Sequence, residues 1–441
     1  MAARAEMEFA RQEQPARSWN AAARIAFRWC VVYFGLFCLS TQIISGLLPI
    51  PMFRIPDLAA LGPVRAAVFW TAAHVFGVRT PLVYTGSGSG DKTFDWVLAF
   101  CILVVALGAT MVWSVLDRRR AEYPGLHRWF RVFVRFALAS QMMVYGIDKA
   151  VPLQMPFPYL NRLLEPYGNF SPMGVLWSSI GASRGYETFT GCAELLGGVL
   201  LVFPRTTTLG ALVCLADTIE IFTLNMTYDV PVKLFSFHLV LMALVLLAPD
   251  APRLLRFFLW NRATEPSAHV ELLRGRRANR IALAVQIVFG ILLLGVNAQN
   301  AANAWHAFGG GRAKSPLYGI WNIEQLAIDG QPRPPLVSDN DRWRRAIFDF
   351  PMAMSFERMD ASLAGYNAAI DSTGRTLVLT RRGDANWKAE FTYQRPSDGQ
   401  LILDGRMDGH ATHMQLRLMD RNQFLLVNRG FHWIQEYPFN R

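Results

Sequence analysis

Long apolar runs alternate with short polar segments over the first two thirds of the chain. Each run approaches the ~20 residues that an α-helix needs to cross about 30 Å of hydrocarbon. The runs cover residues 27–50, 95–116, 130–147, 188–203, 207–225, 232–248 and 280–298. This pattern predicts a membrane all-α helical bundle of about seven transmembrane helices at 27–300, preceded by a cytoplasmic tail at 1–26.

After Asn297 the pattern changes to short segments in which polar and apolar residues alternate. Such alternation, interrupted by turn residues, is typical of antiparallel strands. The predicted strands are 320–328, 346–350, 353–358, 364–371, 376–381, 387–394, 400–405, 410–418, 423–428 and 431–436. They predict an all-β antiparallel barrel or sandwich domain at 312–441. Gly319-Ile320-Trp321 is similar to the GxW motif that opens lipocalin-like barrels, which favours a barrel that binds a small ligand.

The composition agrees with a membrane domain, because 52% of the residues are hydrophobic and only 17% are charged. The net charge of +11 comes largely from arginines that collect in three segments. These are Arg4, Arg11, Arg17, Arg24 and Arg28 near the N-terminus, Arg118, Arg119, Arg120, Arg128 and Arg131 after the second run, and Arg253, Arg256, Arg262, Arg274, Arg276, Arg277 and Arg280 after the sixth. Because basic loops stay in the cytoplasm, the charge is explained without a nucleic-acid partner.

The same arginines predict the orientation of a multi-pass protein of the inner membrane. With seven crossings, the N-terminus is cytoplasmic, and the loops 51–94, 148–187 and 226–231 face outside together with the C-terminal domain. In a Gram-negative cell the outside is the periplasm. A six-crossing alternative results if 130–147 or 188–203 is re-entrant. That alternative puts the C-terminal domain inside and breaks the arginine pattern.

Polar residues that interrupt the apolar runs are candidates for a site, because charged groups are costly in hydrocarbon. They fall in the outer half of four predicted helices and in one turn. They are Gln141, Tyr145 and Lys149 in the third run, Glu187 and Glu194 around the fourth, Asp217, Glu220 and Asn225 in the fifth, Asp229 and Lys233 in the following turn, and His238 in the sixth. The depths predict one polar pocket that opens outward. An alternative stays open, in which the carboxylates form structural ion pairs with Lys149 or Lys233.

Other signatures of chemistry do not occur in the sequence. It contains no P-loop, no dinucleotide-binding glycine motif, no HExxH and no CxxC. The five cysteines all lie in apolar runs, where small core residues are common, and they predict neither a disulfide framework nor a metal site. His410 and His413 stand on predicted strands, and a metal site there is not favoured.

Several short motifs mark the core at about 125–260. They are Tyr145-Gly146-Ile147-Asp148-Lys149, Gln154-Met155-Pro156, Ser171-Pro172, Trp177, Tyr186-Glu187, Gly191, Glu194, the stretch NMTYDVPVK at 225–233, and His238. On these residues the core resembles the DoxX family of small four-helix membrane proteins. The family takes its name from a subunit of a thiosulfate:quinone oxidoreductase. The chain departs from the minimal pattern by two runs before the core, one run after it and the β domain.

The resemblance implies a membrane redox component that acts on quinone or on a small sulfur or thiol substrate. Glu194, His238 and Lys149 are then the expected catalytic residues, with Glu194 and His238 moving protons. The residues expected to bind or orient the substrate are Gln141, Tyr145, Glu187, Asp217, Glu220, Asn225, Asp229 and Lys233. The lack of a recognisable redox motif favours a second hypothesis, a transporter, binding protein or scaffold for an envelope partner. A third hypothesis assigns the main function to the β domain.

Overall fold

The computed structural model describes residues 19–50, 55–264, 271–381 and 383–440. The chain forms two compact units. One consists of residues 1–150 and 189–300, and the other of residues 151–188 and 301–441. Most of the predicted tail at 1–26 lies outside the described residues, and the first helix begins within it, at Ala21.

Helices account for nearly all regular structure before residue 308. In chain order the α-helices are α1 (Ala21–Ser40), α2 (Ile43–Leu47), α3 (Gly62–His74), α4 (Thr93–Leu116), α5 (Pro124–Ala150), α6 (Leu160–Leu164), α7 (Pro172–Gly181), α8 (Arg184–Val202), α9 (Thr207–Thr227), α10 (Lys233–Leu247), α11 (Ala251–Phe258), α12 (Arg276–Ala307) and α13 (Leu425–Asn428). Short 3₁₀ turns lie at Leu58–Ala60, Tyr167–Asn169, Pro204–Thr206, Ala248–Asp250 and Arg421–Gln423.

Within the described residues, six helical segments are long and apolar enough to cross a membrane. They are Ala21–Ser40, Thr93–Leu116, Pro124–Ala150, Pro204–Thr227, Lys233–Phe258 and Arg276–Ala307. The remaining predicted run, 188–203, forms the 19-residue helix α8 but is not among the six. Glu187 and Glu194 lower its mean hydropathy. The prediction of an apolar helical part is therefore confirmed.

The core of the first unit is one continuous apolar cluster. It draws buried side chains from α1, α4, α5, α9 and α10, among them Phe34, Met143 and Cys214. Packing of these side chains gives the helices extensive van der Waals contact with one another. All five cysteines are free.

The second unit contains nine antiparallel strands. They are β1 (Gly319–Ile328), β2 (Gln331–Pro332), β3 (Trp343–Phe350), β4 (Ala353–Arg358), β5 (Leu363–Asp371), β6 (Thr376–Arg381), β7 (Asp384–Ser397), β8 (Gln400–Met407) and β9 (His410–Leu418). From β3 to β9, each strand pairs with the next one in sequence, and β1 pairs with β3. The short β2 pairs only with β1. The last strand, β9, also pairs with β1, with Trp321 opposite Leu418. The sheet is therefore a closed barrel.

Inward-facing side chains fill this barrel. Trp321, Phe348 and Phe356 are almost fully buried in a single apolar cluster with side chains from every strand except β2. The indole of Trp321 donates to the carbonyl oxygen of Leu317 at 2.8 Å. A small ligand inside the barrel stays a prediction that these contacts do not address.

Two predicted strands at the end of the chain are wrong. Residues 423–428 form the end of a 3₁₀ turn and the short helix α13, and residues 431–436 form no strand. The pairing of β1 with β9 explains the difference, because a closed barrel has no free edge for another strand. Phe431 and Trp433 are 75% and 90% exposed, so the apolar residues that mimicked a strand pattern are not part of the barrel core.

The segment 151–188 packs with the barrel as part of the second unit. The backbone N–H of Leu160 donates to Asp349 Oδ2 at 2.9 Å, and Asn161 Nδ2 donates to Ser355 Oγ at 2.9 Å. Asp349 also forms an ion pair with Arg312. The connection between α5 and α8 is thus held by hydrogen bonds to β3 and β4.

Candidate functional site

Two glycines bring α5 and α8 close together. A Cβ at Gly191 would lie 2.3 Å from the backbone nitrogen of Ala150, and one at Gly146 would lie 2.8 Å from that of Leu195. Only glycine leaves room for backbones at this separation, as in the small-residue contacts of packed apolar helices. Farther along, the guanidinium of Arg135 on α5 donates to the carbonyl oxygen of Leu201 on α8. The two helices therefore run antiparallel over most of the length of α8.

This close approach places Lys149 against Glu194. Both side chains are more than 90% buried, and Lys149 Nζ forms an ion pair with Glu194 Oε1. The other carboxylate oxygen, Glu194 Oε2, is buried and has no hydrogen-bond partner among the described residues. A buried carboxylate oxygen without a donor is costly, so it marks a place where a ligand or a proton can bind.

Two further carboxylates lie close to this ion pair. Asp217 on α9 interacts electrostatically with Glu194, Glu220 and Lys149. Asp217 Oδ2 is buried without a hydrogen-bond partner among the described residues, whereas Glu220 is exposed. We call Lys149, Glu194, Asp217 and Glu220 the carboxylate cluster. Three acids share one lysine in it, so the cluster carries excess negative charge unless it holds protons or a cation.

A hydroxyl and two amides lie beside the carboxylate cluster. Gln42 Nε2 donates to Tyr145 Oη at 2.6 Å and is 3.4 Å from Gln141 Oε1. Tyr145 in turn interacts electrostatically with Glu194. Because the hydroxyl oxygen of Tyr145 accepts from Gln42, its proton is available to donate to a ligand. Sequence reasoning did not select Gln42, although it is a polar residue in the first apolar run.

His238 has a structural environment of its own. Its Nδ1 lies 2.7 Å from the carbonyl oxygen of Leu234, and its Nε2 lies 2.7 Å from the hydroxyl of Tyr33. Nδ1 must donate to the carbonyl, so Nε2 accepts from Tyr33 when the ring is neutral. The ring also stacks on Phe37 with a centroid distance of 3.8 Å. Both ring nitrogens are therefore already hydrogen-bonded, which is the arrangement of a packed core histidine.

Glu187 belongs to the second unit, unlike Glu194. It is fully buried, and its Oε1 accepts a hydrogen bond from the backbone N–H of Met155 at 2.8 Å. Such a bond satisfies a backbone donor in the segment between α5 and α6 and fixes its conformation. The two glutamates of α8 therefore have different partners, since Glu187 holds the backbone of Met155 and Glu194 pairs with Lys149.

The predicted residues of the α9–α10 turn form a separate polar network. Lys233 Nζ pairs with Asp229 Oδ1 at 2.8 Å, and Asn225 Nδ2 donates to Ser236 Oγ at 3.0 Å. Asp91 was not selected from the sequence, yet its two oxygens accept from the backbone nitrogens of Lys233 and Leu234 at 2.8 and 2.9 Å. Asp91 therefore caps the N-terminus of α10 from a loop more than a hundred residues away.

The histidines of the barrel have carboxylate partners. His410 Nδ1 lies 2.7 Å from Asp329, and His413 Nδ1 lies 2.5 Å from Asp404. The hydrogen bond from His410, aided by the backbone N–H of Ala411, lowers the pKa of the Asp329 carboxyl. No group of three metal-ligating side chains occurs among the residues that the structure describes.

Comparison with curated proteins identifies a relative, the uncharacterized protein YwoB of Bacillus subtilis (strain 168). The two sequences are 32% identical over 140 residues, which cover 86% of YwoB. The chain belongs to the YwoB family. The match covers 32% of this chain, so about two thirds of it lie outside the part shared with YwoB. No family model matches the chain, and no solved structure matches it significantly.

Proposed function

We propose that the chain is a multi-pass membrane protein with seven crossings, a cytoplasmic N-terminus and an extracytoplasmic barrel. The exposure of its helices supports a lipid environment. The helix α12 is strongly apolar, yet only 17% of its most apolar stretch is buried. Val288 and Ile291 on this helix are more than 60% exposed. So much exposed apolar surface on one helix is unfavourable in water and favourable in hydrocarbon.

The connectivity supports seven crossings rather than six. The segment 151–188 and the barrel belong to one compact unit, so both lie on the same side of a membrane. Between them the chain passes through α8, α9, α10 and α12. An even number of crossings returns the chain to the side where it started, which requires α8 to cross as well. At about 1.5 Å per residue, its 19 residues are about 28 Å long, close to the hydrocarbon thickness.

Contacts among the basic segments support the cytoplasmic assignment. Arg24 donates to the carbonyl oxygen of Arg120, and Arg28 donates to that of Asp117. Arg128 donates to the carbonyl oxygen of Glu271, and Arg131 pairs with Asp250 at 3.2 Å. The arginine-rich segments around α1, α5 and α11 thus meet at one end of the helical unit, as the positive-inside rule requires of cytoplasmic segments.

We further propose that the carboxylate cluster binds quinone in a membrane redox component that uses a small sulfur or thiol substrate. The main support is that Glu194 and Asp217, beside Lys149 and Tyr145, each have a buried oxygen without a hydrogen-bond partner among the described residues. A quinone oxygen needs hydrogen-bond donors, which Lys149 and Tyr145 supply. The carboxyls can hold and release protons. The resemblance to the DoxX family supports the same class of ligand.

The proposed reaction balances without a bound redox group. Two thiols lose two electrons and two protons and form one disulfide, while one quinone gains them and becomes a quinol. The role of this chain is to position the quinone oxygens and to exchange their protons through Glu194. The barrel or the segment packed on it is a candidate contact surface for an envelope protein that presents the thiol substrate.

Bound quinone can be measured by mass spectrometry of extracts from the full chain purified in mild detergent. We expect quinone with the natural protein and at least a tenfold lower content with Glu194→Gln. Glu165→Gln is the control, since it makes the same chemical change at a residue that pairs with Arg162 outside the cluster. Equal quinone content in all three proteins would exclude the proposed binding site.

The excess of carboxylates also favours a non-enzymatic alternative. Three acids around one lysine would bind a small cationic solute for transport, and no redox motif is present in the sequence. In that case the purified protein contains no quinone. A small organic cation would then stabilise it against heat, and Glu194→Gln would abolish that stabilisation.

A further inference from the structure

A large basic cavity lies at the opposite end of the helical unit from the carboxylate cluster. It has a volume of about 1040 Å³ and is lined by the beginnings of α5, α9 and α12 and by residues near the end of α8. Seven arginines line it, namely Arg128, Arg131, Arg135, Arg205, Arg253, Arg276 and Arg280. A cavity of this size is comparable to sites for small organic ligands.

Few carboxylates are present to balance these arginines. Within the described residues, Asp250 serves two of them, Arg131 at 3.2 Å and Arg253 at 3.6 Å. Asp250 also accepts from the hydroxyl of Thr208 at 2.7 Å. Glu271, which also lines the cavity, accepts from the amide of Asn279 at 2.8 Å. Counted over the described residues, the cavity therefore has a large excess of positive charge.

Arg135 shows this excess most clearly. It is only 4% exposed, and its guanidinium donates to the carbonyl oxygens of Leu201 and Val202 and to Gln286 Oε1, at 2.9, 2.8 and 3.1 Å. These three acceptors are neutral, so they satisfy its hydrogen bonds but not its charge. A buried cation without a counter-ion is costly, and an anion in the cavity would relieve that cost.

Unused donors also face this region. Arg128 Nε is buried and has no hydrogen-bond partner among the described residues. The helices α9 and α12 begin at the cavity, so their first N–H groups and the positive ends of their dipoles favour an anion there. Arginine forks match phosphate oxygens in geometry as well as in charge.

We propose that the basic cavity binds a ligand with two or more phosphate groups. Five of its arginines have no carboxylate partner among the described residues, namely Arg128, Arg135, Arg205, Arg276 and Arg280, so one phosphate would leave most of the charge unbalanced. An anionic phospholipid headgroup and a soluble polyphosphate share this chemistry. The site is independent of the carboxylate cluster and of the quinone proposal.

Native mass spectrometry of the full chain in detergent can test this site with cardiolipin, a lipid with two phosphates, and with phosphatidylcholine. The test variant is Arg276→Gln with Arg280→Gln. The control is Arg274→Gln with Arg277→Gln, which removes the same charge from exposed positions of the same segment outside the cavity lining. At about 1 kcal/mol for each arginine, the test variant should bind cardiolipin about thirtyfold more weakly. The control should bind as the natural protein does.

Equal weakening in both double variants would overturn the proposal, since it would reflect surface charge alone. Unchanged binding in the test variant, or equal retention of phosphatidylcholine and cardiolipin, would overturn it as well. Inorganic diphosphate separates the two sources. Displacement of cardiolipin by millimolar diphosphate supports a soluble polyphosphate as the ligand, whereas retention of the lipid supports a headgroup.

Discussion

At the scale of single residues, the two oxygens of Glu194 have different environments. One pairs with Lys149, and the other is buried without a partner among the described residues. The sequence could nominate Lys149 and Glu194, because charges inside apolar runs are conspicuous. Gln42 and Asp91 were not nominated, and their roles became clear only from their contacts with Tyr145 and Lys233 in the fold.

Removal of one partner from the buried ion pair should be more harmful than removal of both. Lys149→Met leaves Glu194 as an uncompensated buried charge, and we expect it to destabilise the protein by about 3 kcal/mol. Lys149→Met combined with Glu194→Gln should recover most of that loss. Thermal unfolding in detergent, followed by intrinsic fluorescence, measures both. Additive losses in the double variant would show that the two side chains do not interact.

At the scale of helices and strands, the alternation of polar and apolar residues predicts strand bounds correctly where local pattern and tertiary packing agree. The predicted strands 353–358, 376–381 and 410–418 have the observed bounds. The strands predicted at 423–428 and 431–436 failed because barrel closure depends on the distant pairing of β1 with β9. The polar residues predicted to share one pocket lie in separate groups, since His238 is hydrogen-bonded to Tyr33 and Glu187 accepts from the backbone of Met155.

The contact of α5 with α8 depends on Gly191. An alanine methyl group there would meet the backbone of Ala150, so we expect Gly191→Ala to lower stability by about 2 kcal/mol. It should also reduce ligand binding, because Lys149 and Glu194 would separate. Gly108→Ala in α4 is the control, since a Cβ at Gly108 meets no atom within 4 Å. The control should be neutral or stabilised by up to about 1 kcal/mol through helix propensity.

A thermal unfolding scan of both glycine variants, with the natural protein alongside, gives the comparison. Equal stability of Gly191→Ala and Gly108→Ala would contradict the close approach of α5 and α8.

At the scale of the whole molecule, the proposed seven-crossing topology requires α8 to cross the membrane. The sequence predicted seven runs, whereas composition and length alone identify six segments among the described residues. The difference arises because Glu187 and Glu194 make α8 less apolar, and the same two residues are candidates for the site. If α8 crosses, the carboxylate cluster lies in hydrocarbon, and the barrel lies on the side opposite to the arginine-rich segments.

The most direct test is labelling of single cysteines in intact cells with a membrane-impermeant maleimide. The five native cysteines are first replaced, and Asp398→Cys in an exposed turn of the barrel is compared with Arg118→Cys in the loop after α4. If the cell has an outer membrane, it is first made permeable. With seven crossings, we expect Asp398→Cys to react at once and Arg118→Cys to react only after the inner membrane is opened. Labelling of both positions from the same side would contradict that topology.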